Sequence, residues 1–498
     1  MSRTHSLDQL SDADRLRQLG YTPSLSRGMS RFGNFAISFS VISVLSGCMT
    51  LYAFGLTAGG PSVIIWGWML VGAMTMLVGA ALAEVTSAFP VAGALYYMAD
   101  RLGGRRWGWY TGVLNLLGLL SGIAVVDFGC ATFVGAFVYL EWGVQPTQSA
   151  MIGIFAVLLA LHTVLNLLGV RLVSLLNAVS VWWHLAGVTL IVVALWALPA
   201  RHQSTTFVFT HFANTTGWHS SAYVAFLGLL VAQYTFGGYD ASAHLAEETE
   251  QAQVNAPRGI VRSIAVSWAA GLVLLVGLTY AIQDYTSTRA AAVPPERIFL
   301  DALGASGAKL LLLVVIVAQF FCGNARLAAC ARMVWAFSRD GAVPGGVLWT
   351  RLSANKSPYA AVIFSALVAF VLALPVLGSP VAYGAVTAVA VVGTTTAYAL
   401  PLYLRLRTGR DFQVGPWSLG RFSRPIGVTA IAWLAVTTVV ACLPQVSPTT
   451  VQNVQYAPVA LLVTLLLATL WWPIARRRYA TPQLHTSAQL DELLAEVI

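Results

Sequence analysis

Residues 232–240 read Ala-Gln-Tyr-Thr-Phe-Gly-Gly-Tyr-Asp, and they fall inside an apolar run that extends over about residues 221–248. Each glycine costs a helix roughly 1 kcal/mol relative to alanine, so an adjacent pair is unfavourable in the middle of such a run. Close packing of two helices through small residues is one explanation of the pair. The other is a helix that stops at Gly237 and Gly238 and restarts after them, and we expect this break.

The composition of the chain indicates an integral membrane protein. Of its 498 residues, 57% are hydrophobic and only 9% are charged, and the mean hydropathy is +0.73. A soluble domain carries roughly 25% charged residues. The composition therefore excludes a soluble enzyme, a nucleic-acid-binding factor and a disordered chain, and it makes the lipid bilayer the expected surroundings of the protein.

Twelve apolar runs are long enough to cross a bilayer as helices, which requires roughly 20 residues each. The runs are continuous and do not alternate with polar residues, so they predict an all-α membrane protein and not a barrel of strands. Their expected positions are about 34–58, 62–84, 108–138, 147–169, 173–198, 221–248, 259–283, 307–338, 358–378, 381–405, 425–444 and 455–475.

The distribution of positive charge predicts the orientation of these spans. Twelve crossings place both ends of the chain on one side, and 24 of the 28 Lys and Arg fall there when Arg326 is assigned to the loop after span 8. The four on the other side are Arg201, Arg289, Arg297 and Lys309. Since Lys and Arg accumulate on the cytoplasmic face, we expect a plasma-membrane protein, in the inner membrane if the source is bacterial. Its tails, 1–30 and 476–498, are then cytoplasmic and flank a membrane domain at 31–475.

A second break is predicted in the first span, where Ser46-Gly47-Cys48 lies near the middle. Spans 1 and 6 are five apart, and transporters built from two inverted five-helix repeats carry broken helices at such corresponding positions. We therefore expect one repeat over about 34–198, a second over about 221–405 and two additional helices over about 425–475. The substrate site is expected where the two breaks meet.

Broken helices expose main-chain groups that bind a zwitterion with few charged side chains. The N-terminal ends of half-helices present a positive dipole to a carboxylate, whereas their C-terminal ends and free carbonyls suit an ammonium group. An amino acid thus fits between the two breaks on chemical grounds. Gln233 and Tyr234, one turn before the glycines, are expected to line the approach.

Several titratable side chains lie within the apolar spans. Asp240 follows the second break directly, and a carboxylate at membrane depth costs at least about 2.5–3.5 kcal/mol, so we expect a role in coupling or gating. A continued helix would place Asp240, His244 and Glu247 on one face, as a proton path or as a hydrated inner gate. Asp127 in span 3 faces either the cavity or water at the outer end. His184 in span 5 is either a packing residue or a proton carrier.

The sequence shows no motif of an enzyme or of a metal site. H-E-x-x-H, nucleophile-elbow and phosphate-loop motifs are missing from the spans, so we expect neither catalysis nor a cofactor. The five cysteines fall in apolar stretches without metal-ligand spacing, which favours buried apolar residues over a disulfide framework or a bound metal. They are Cys48, Cys130, Cys322, Cys330 and Cys442.

From about residue 10 to residue 475, several motifs resemble those of amino acid permeases of the amino acid–polyamine–organocation superfamily. The most specific is the segment 232–244 with Glu247-Glu248-Thr249, which resembles the amino acid/choline transporter branch that includes γ-aminobutyrate permeases. The others are Leu19-Gly20-Tyr21, Asn34-Phe35-Ala36-Ile37-Ser38-Phe39-Ser40, Gly59-Gly60-Pro61, Trp66-Gly67-Trp68, Ala83-Glu84, Phe89-Pro90-Val91-Ala92-Gly93-Ala94-Leu95-Tyr96-Tyr97, and Ala331-Arg332 to Arg339-Asp340-Gly341 with Pro344.

This resemblance implies the leucine-transporter fold, with ten helices in the inverted repeat and two added. The residues that it implies as substrate contacts or gates are Ser46, Gly47, Cys48, Phe236, Gly237, Gly238 and Tyr239. The first three of these correspond to the site of the substrate carboxylate. Asp240 stands where many relatives carry Glu, and His184 stands where some proton-coupled relatives place a Lys.

The breaks and the resemblance together predict a secondary active transporter that imports an amino acid or a related small zwitterion by alternating access, with protons as the coupling ion. We also expect ion pairs around Glu84, Arg101 and Glu247 to close the inner gate. Two alternatives stay open. One is a carrier of choline, another quaternary amine or a polyamine, bound by aromatic walls through cation–π contacts. The other is a sensor that binds its ligand without transport.

Overall fold

The computed structural model describes residues 11–377, 382–451 and 453–482, and these residues are mostly helical. The predicted tails therefore fall partly outside the described residues, at 1–10 and 483–498. Two short strands, β1 (Ala58–Gly59) and β2 (Ala213–Asn214), pair antiparallel. The helices are α1 (Asp12–Gln18), α2 (Arg31–Ile42), α3 (Val44–Thr57), α4 (Gly60–Ala88), α5 (Leu95–Gly103), α6 (Arg105–Trp142), α7 (Gln148–Leu167), α8 (Val170–Ala197), α9 (Thr205–Thr210), α10 (Ser221–Gly228), α11 (Leu230–Thr235), α12 (Ala241–His244), α13 (Ala252–Tyr280), α14 (Tyr285–Ala290), α15 (Pro294–Arg339), α16 (Gly346–Trp349), α17 (Tyr359–Ala373), α18 (Ala382–Thr408), α19 (Ser423–Cys442) and α20 (Ala457–Ala475).

Eleven helical segments of the described chain are long and apolar enough to cross a membrane, with α2 and α3 together forming one of them. The interrupted series α10, α11 and α12 occupies the remaining predicted span, number 6. The prediction of an all-α membrane protein is therefore confirmed. The largest difference from the predicted bounds is α15, which begins at Pro294 and bends at Gly304 (φ 69°) before it enters the bundle.

The two interrupted helices cross each other in opposite directions. The first half of helix 1, α2, packs against α12, the last part of helix 6, and the second half, α3, packs against α11. This pairing brings the two breaks to the same level of the bundle. The next helices in each series, α4 and α13, also pack along each other. The arrangement agrees with an inverted repeat, and the repeat boundaries stay a prediction.

The bundle is apolar outside and polar around its breaks. Large apolar side chains are exposed along α7, α8, α17 and α20, where a soluble protein would carry charges. Small polar side chains are buried instead between α2 and α12, where the hydroxyl of Ser38 donates to the carbonyl oxygen of Tyr239 at 2.6 Å. These hydroxyls satisfy main-chain groups that the helix break leaves without partners.

The sequence predicts that all five cysteines are buried in the apolar interior, and four of them are. Cys48, Cys130, Cys322 and Cys330 are buried, Cys442 is partly buried, and all five are free thiols. No group of three or more His, Cys, Asp and Glu side chains that could hold a metal ion occurs within residues 11–377, 382–451 and 453–482.

The end of the bundle that carries both termini is covered by the first and last described segments of the chain. The hydroxyl of Tyr97 on α5 donates to the carbonyl oxygen of Leu19 at 3.1 Å. On the same helix, the carboxylate of Asp100 accepts hydrogen bonds from Tyr479 at 3.0 Å and from Thr481 at 2.6 Å. Because Tyr479 is fully buried, α5 is held between the two ends of the chain.

Candidate functional site

The first membrane helix breaks at Ser43, between α2 and α3. Ser43 has a left-handed backbone (φ 39°, ψ 85°), a conformation that costs a residue with a Cβ roughly 1–2 kcal/mol. Its hydroxyl lies 2.7 Å from Nε2 of His184, and Nδ1 of His184 lies 2.8 Å from the carbonyl oxygen of Ser180. A carbonyl only accepts, so Nδ1 is the donor, and Nε2 of the neutral ring accepts from Ser43. The hydrogen bond to the buried imidazole of His184 on α8 thus stabilises the left-handed backbone of Ser43 at the break.

The predicted position of this first break, at Ser46-Gly47-Cys48, is wrong by about one turn. These residues begin α3, and the amides of Ser46 and Gly47 donate to the carbonyl oxygen of Ser43 at 2.9 and 3.0 Å. Gly47 is needed for packing, since a Cβ there would lie 2.7 Å from Cβ of Thr235 on α11. Gly47 therefore marks the close approach of α3 and α11. The position of the break is determined instead by Ser43, whose hydroxyl bonds the buried His184.

The second break lies where the glycine pair predicts it. Helix α11 ends at Thr235, α12 begins at Ala241, and Gly238 between them has a φ of 96°. The amide of Gly238 donates to the hydroxyl of Tyr398 at 3.2 Å. A Cβ on Gly238 would overlap the side chain of Val41 on α2, so both the conformation and the space require glycine.

Asp240 is fully buried directly after this break. One carboxylate oxygen accepts from the hydroxyl of Tyr398 at 2.6 Å, and the other lies 3.0 Å from Nε2 of His244. The predicted face of Asp240, His244 and Glu247 is only partly formed, because α12 ends at His244 and Glu247 lies in the following 3₁₀ turn. Asp240 and His244 thus form a fully buried acid–imidazole pair.

Arg326 lies at the depth of both breaks and not in the loop to which the charge pattern assigned it. Its Nη2 lies 3.3 Å from the carbonyl oxygen of Val41 near the end of α2, and 3.3 Å from that of Gly237. Without Arg326, the Lys and Arg residues still lie mainly on the side of the termini. The sequence could have indicated the buried position of Arg326, because this arginine stands well before the end of α15 and inside an apolar segment.

Two adjoining cavities lie between this point and the end of the bundle opposite the termini. The outer cavity has a volume of about 320 Å³ and is lined mainly by α3, α6, α11, α18 and residues 292–294. A smaller cavity of about 20 Å³ lies between the break of helix 6, α18 and Arg326. Tyr234 and Val391 line both cavities, so these two side chains form the boundary between them.

The predicted substrate contacts divide between the cavity wall and the packed interior. Gln233, Tyr234, Gly237 and Tyr239 line the small cavity. The ring of Phe236 instead stacks on Trp68, with the centroids 4.5 Å apart. Among the predicted substrate contacts, those that line neither of the two cavities are Ser46, Gly47, Cys48, Phe236 and Gly238. Besides Arg326, sequence reasoning missed the polar wall of α18, because hydroxyls in a uniform helix give no local signal. These residues are Thr394, Thr395 and Tyr398.

Asp127 forms a second buried pair away from the breaks. Its Oδ2 lies 3.1 Å from Nδ1 of His162 on α7, and both side chains are fully buried. Gly323 of α15 packs directly against this pair, since a Cβ there would overlap Asp127. Asp127 lines neither of the two cavities. The structure therefore places it in the contact between α6, α7 and α15, and not beside the break of helix 6.

The end of the bundle that carries the termini is closed by ion pairs whose partners differ from those predicted. Glu84 lies 3.3 Å from Nε of Arg405, and Glu247 accepts hydrogen bonds from Arg339 at 3.0 and 3.1 Å. Arg101 pairs with neither acid and bonds main-chain carbonyls instead. The expectation that Arg101 pairs with these acids is wrong, because tertiary packing brings each of them to an arginine that is distant in sequence.

The most deeply buried of these pairs joins Glu248 to Arg332. Their two hydrogen bonds measure 2.8 Å from Nε and 3.2 Å from Nη2, in a bidentate arrangement. The side chains are 2% and 0% exposed, so each charge depends on the other. The pair connects the segment after α12 to α15, which occupies predicted span 8 and is helix 8 of the bundle, and it thereby ties helix 6 to helix 8 at the closed end.

Asp340, the residue after α15, is also buried at this end. Its Oδ2 accepts from the hydroxyls of Tyr21 at 2.7 Å and Tyr96 at 2.9 Å, and its Oδ1 lies 3.7 Å from Arg339. Burial raises the pKa of Asp340 to about 6, and Glu247 adds to this effect. Attraction by Arg339 and the two tyrosine hydrogen bonds lower the pKa, but only enough to offset part of the rise.

We expect Asp340→Asn to remove a pH-dependent part of the stability. The pKa of Asp340 is higher in the folded protein than the value of about 3.9 in an unfolded chain. The folded state therefore holds the proton more tightly, and this stabilisation is present below about pH 4 and lost as the pH rises through about 6. The free energy of unfolding of the variant relative to that of the unaltered protein should rise between about pH 4 and 6 and then level off, by a total of at most about 3 kcal/mol. The melting temperature of the variant relative to that of the unaltered protein should rise over the same pH range.

The partly exposed Asp14 supplies the control, since Asp14→Asn removes one acidic group without touching this cluster. Detergent-solubilised protein and differential scanning fluorimetry suffice for the comparison. Parallel melting profiles for Asp340→Asn and the unaltered protein across this pH range would contradict the assignment.

A membrane-crossing bundle that encloses two matched helix breaks, with a cavity from one end and ion pairs across the other, is the architecture of a solute transporter. Residues 30–467 match the family described as amino acid permease. The chain is 38% identical to the amino-acid permease BAT1 of Arabidopsis thaliana, over 94% of this chain and 95% of that protein. It is 29% identical to the GABA-specific permease of Saccharomyces cerevisiae, over 86% of this chain and 76% of that protein.

The chain belongs to the amino acid permease family. A homologue of BAT1 in Oryza sativa shares the same level of identity, 38%, over 93% of this chain and 94% of its own length. The protein is thus a multi-pass membrane protein of amino acid transport, as the sequence motifs imply. Its relatives are permeases, which move solutes and are not enzymes.

Proposed function

We propose that this permease is a secondary active transporter that imports an amino acid or a related small zwitterion, such as γ-aminobutyrate, across the plasma membrane. It works by alternating access, and protons drive it. The substrate binds at the break of helix 6, next to Gln233, Tyr234, Gly237 and Tyr239. Contacts from Ser46, Gly47 and Cys48, and from Phe236 and Gly238, would require α3 or the break to move toward the cavity, and they stay a prediction.

The observation that carries this proposal is the asymmetry of the bundle. A cavity of about 320 Å³ extends inward from the end opposite the termini as far as Tyr234, where the small cavity at the break of helix 6 adjoins it, while ion pairs and the first and last described segments of the chain cover the other end. The excess of Lys and Arg on the side of the termini supports a cytoplasmic location for that side. The conformation then corresponds to an outward-facing state, and opening of the pairs of Glu84 and Glu247 would produce the inward-facing one.

The proposed coupling by protons rests on two buried histidines, one at each break. His184 bonds Ser43 at the break of helix 1, and His244 pairs with Asp240 after the break of helix 6. Histidine is the side chain that ordinarily changes charge between about pH 5 and 8. A proton taken up at either break changes the hydrogen bonds that hold the half-helices, and this links protonation to the shape of the site. For Asp127, we propose a coupling role through the contact between α6, α7 and α15, where it pairs with His162.

Uptake by reconstituted vesicles tests the proposal. Purified full-length protein is reconstituted, and the uptake of a panel of labelled amino acids, γ-aminobutyrate and choline is measured with and without an inward proton gradient. We expect saturable accumulation of at least one zwitterion, increased by the gradient. Uptake of choline alone would favour the quaternary-amine carrier. Tight binding without flux would favour the sensor, and both results would contradict the proposal.

Asp240→Asn tests the coupling. The amide retains an oxygen for the hydroxyl of Tyr398 but loses the charge that pairs with His244. We expect gradient-driven uptake to fall by about tenfold or more and to lose its dependence on external pH, since an ionisable group at this depth is retained for function. Uptake is measured between about pH 5 and 8.

The matched control is Asp284→Asn, because Asp284 caps the short helix α14 at the opposite end of the bundle. This control should transport as the unaltered protein does. If Asp240→Asn shows the same uptake as the unaltered protein at every pH, Asp240 has no part in the mechanism.

A further inference from the structure

Arg326 carries a buried positive charge for which the described protein supplies no counterion. Its side chain is largely buried, with the residue 9% exposed. Within 4.0 Å of the guanidinium, residues 11–377, 382–451 and 453–482 place no carboxylate. The buried acids Asp240 and Asp127 pair with other side chains, Asp240 with His244 and Asp127 with His162. A guanidinium does not lose its proton in proteins, so the charge persists.

The hydrogen bonds of Arg326 are also incomplete. Only Nη2 has acceptors among the described residues, namely the carbonyl oxygens of Val41 and Gly237, both at 3.3 Å. These carbonyls lie near the C-terminal ends of α2 and α11, where the helix dipoles are negative. Nε is buried and has no partner in the described chain. A buried cation held by two long hydrogen bonds is strongly favoured to bind an anion.

The free side of this guanidinium faces the small cavity. Arg326 is the charged side chain among the described residues that line the cavity, and the rest of the polar wall consists of hydroxyls and the amide of Gln233. The volume of about 20 Å³ admits only a small group. Because Tyr234 and Val391 line both cavities, the two cavities adjoin, and a ligand with its head group at Arg326 would extend into the outer cavity once these two side chains move apart.

A second unpartnered polar atom completes the site. Oε1 of Gln233 is buried in the wall of the same cavity and has no donor among the described residues. A carboxylate on Arg326 and an amino group on Gln233 would satisfy both. The first turn of α3 is less suited to the carboxylate, because the amides of Ser46 and Gly47 already donate to the carbonyl oxygen of Ser43.

From these contacts we propose that Arg326 forms the carboxylate subsite of this permease and selects substrates that carry a carboxylate. The inference rests on the proposed transport function and names its substrate class. A fixed positive charge in a narrow cavity repels choline, polyamines and the amide or ester derivatives of amino acids, which all lack the anionic group. The substrate is therefore a zwitterion with a free carboxylate, and a purely cationic amine is excluded from the small cavity.

The experiment compares each acid with its own amide. Binding of γ-aminobutyrate and 4-aminobutanamide, of alanine and alaninamide, and of choline is measured on the purified full-length protein, and uptake is measured in vesicles. In the unaltered protein, we expect the best-bound acid to bind at least about 100-fold more tightly than its amide. Arg326→Gln should weaken binding of that acid by at least about 100-fold and change binding of the amide by less than about threefold. Arg326→Lys, which keeps the charge, should recover part of the loss.

Lys309→Gln is the matched control, because it removes one positive charge from the same helix at a partly exposed pair with Glu141. It should bind as the unaltered protein does. The proposal is overturned if Arg326→Gln retains the affinity for the acid, or if the unaltered protein binds acid and amide equally. The second comparison needs no variant, so it decides the matter even if Arg326→Gln does not fold. Acid-selective binding without uptake would leave the subsite intact and contradict only the transport function.

Discussion

Replacement of Gly238 by leucine is expected to reduce substrate uptake to the background of empty vesicles. Gly238 has a φ of 96°, which a residue with a Cβ adopts at a cost of roughly 1–2 kcal/mol. In addition, a Cβ at this position would overlap Val41 on α2. The carbonyl of Val41 is one of the two that hold Arg326. A leucine therefore forces the two breaks apart at the point where the small cavity ends.

A glycine on the outer surface of the bundle supplies the control for this prediction. Gly153 on α7 is exposed and helical, and a Cβ there would lie more than 4 Å from the other atoms of the described residues. Gly153→Leu should therefore keep most of the uptake. Size-exclusion profiles and melting temperatures in detergent show whether each variant is folded. A folded Gly238→Leu protein with normal uptake and substrate affinity would remove the break of helix 6 from the substrate site.

The largest loss of stability is expected for Glu248→Ala. This change leaves the guanidinium of Arg332, whose side chain is 0% exposed, without its counterion. Removal of one partner of a buried pair costs about 3–5 kcal/mol, because the remaining charge stays desolvated. We expect a large decrease of the melting temperature in detergent. We also expect weaker closure at this end of the bundle, since the pair ties helix 6 to helix 8.

Two further variants separate this explanation from a general sensitivity to lost ion pairs. Asp301→Ala breaks the pair with Arg297, whose side chain is 41% exposed, and it should cost less than about 1 kcal/mol. The double variant Glu248→Leu with Arg332→Met removes both charges and should recover much of the loss. A double variant as unstable as Glu248→Ala alone would show that the uncompensated charge is not the cause.

The sequence alone predicts the positions of the membrane helices along the chain, because the features that determine them lie within each segment. Continuous apolar runs predict membrane helices by length alone, and the adjacent Gly237 and Gly238 predict the break of helix 6 by their cost. The predicted position of the break of helix 1 was wrong because the interaction that stabilises this break comes from a residue that is distant in sequence. Ser43 has no glycine beside it, and the group that stabilises its left-handed backbone is an imidazole on α8.

The candidate site was less predictable than the fold for the same reason. The charge count assigned Arg326 to the loop after span 8, although the predicted span runs to residue 338, and only the packing of α15 against the breaks shows that Arg326 lies beside them. The ion pairs of the closed end join residues that are remote in sequence, as for Glu84 and Arg405. The polar wall of α18 carries hydroxyls that any membrane helix can contain. These features depend on tertiary packing, which one sequence does not encode locally.

The hydrogen bonds that join α5 to the last described segment of the chain have a consequence for biosynthesis. The partners of Asp100 are Tyr479 and Thr481, which follow it by 379 and 381 residues. The ribosome therefore releases α5 long before these partners are synthesised, and Asp100 cannot form either hydrogen bond until translation is nearly complete. A premature stop codon shortly after α20 would yield a protein that contains α1 to α20 but lacks both of these hydrogen bonds.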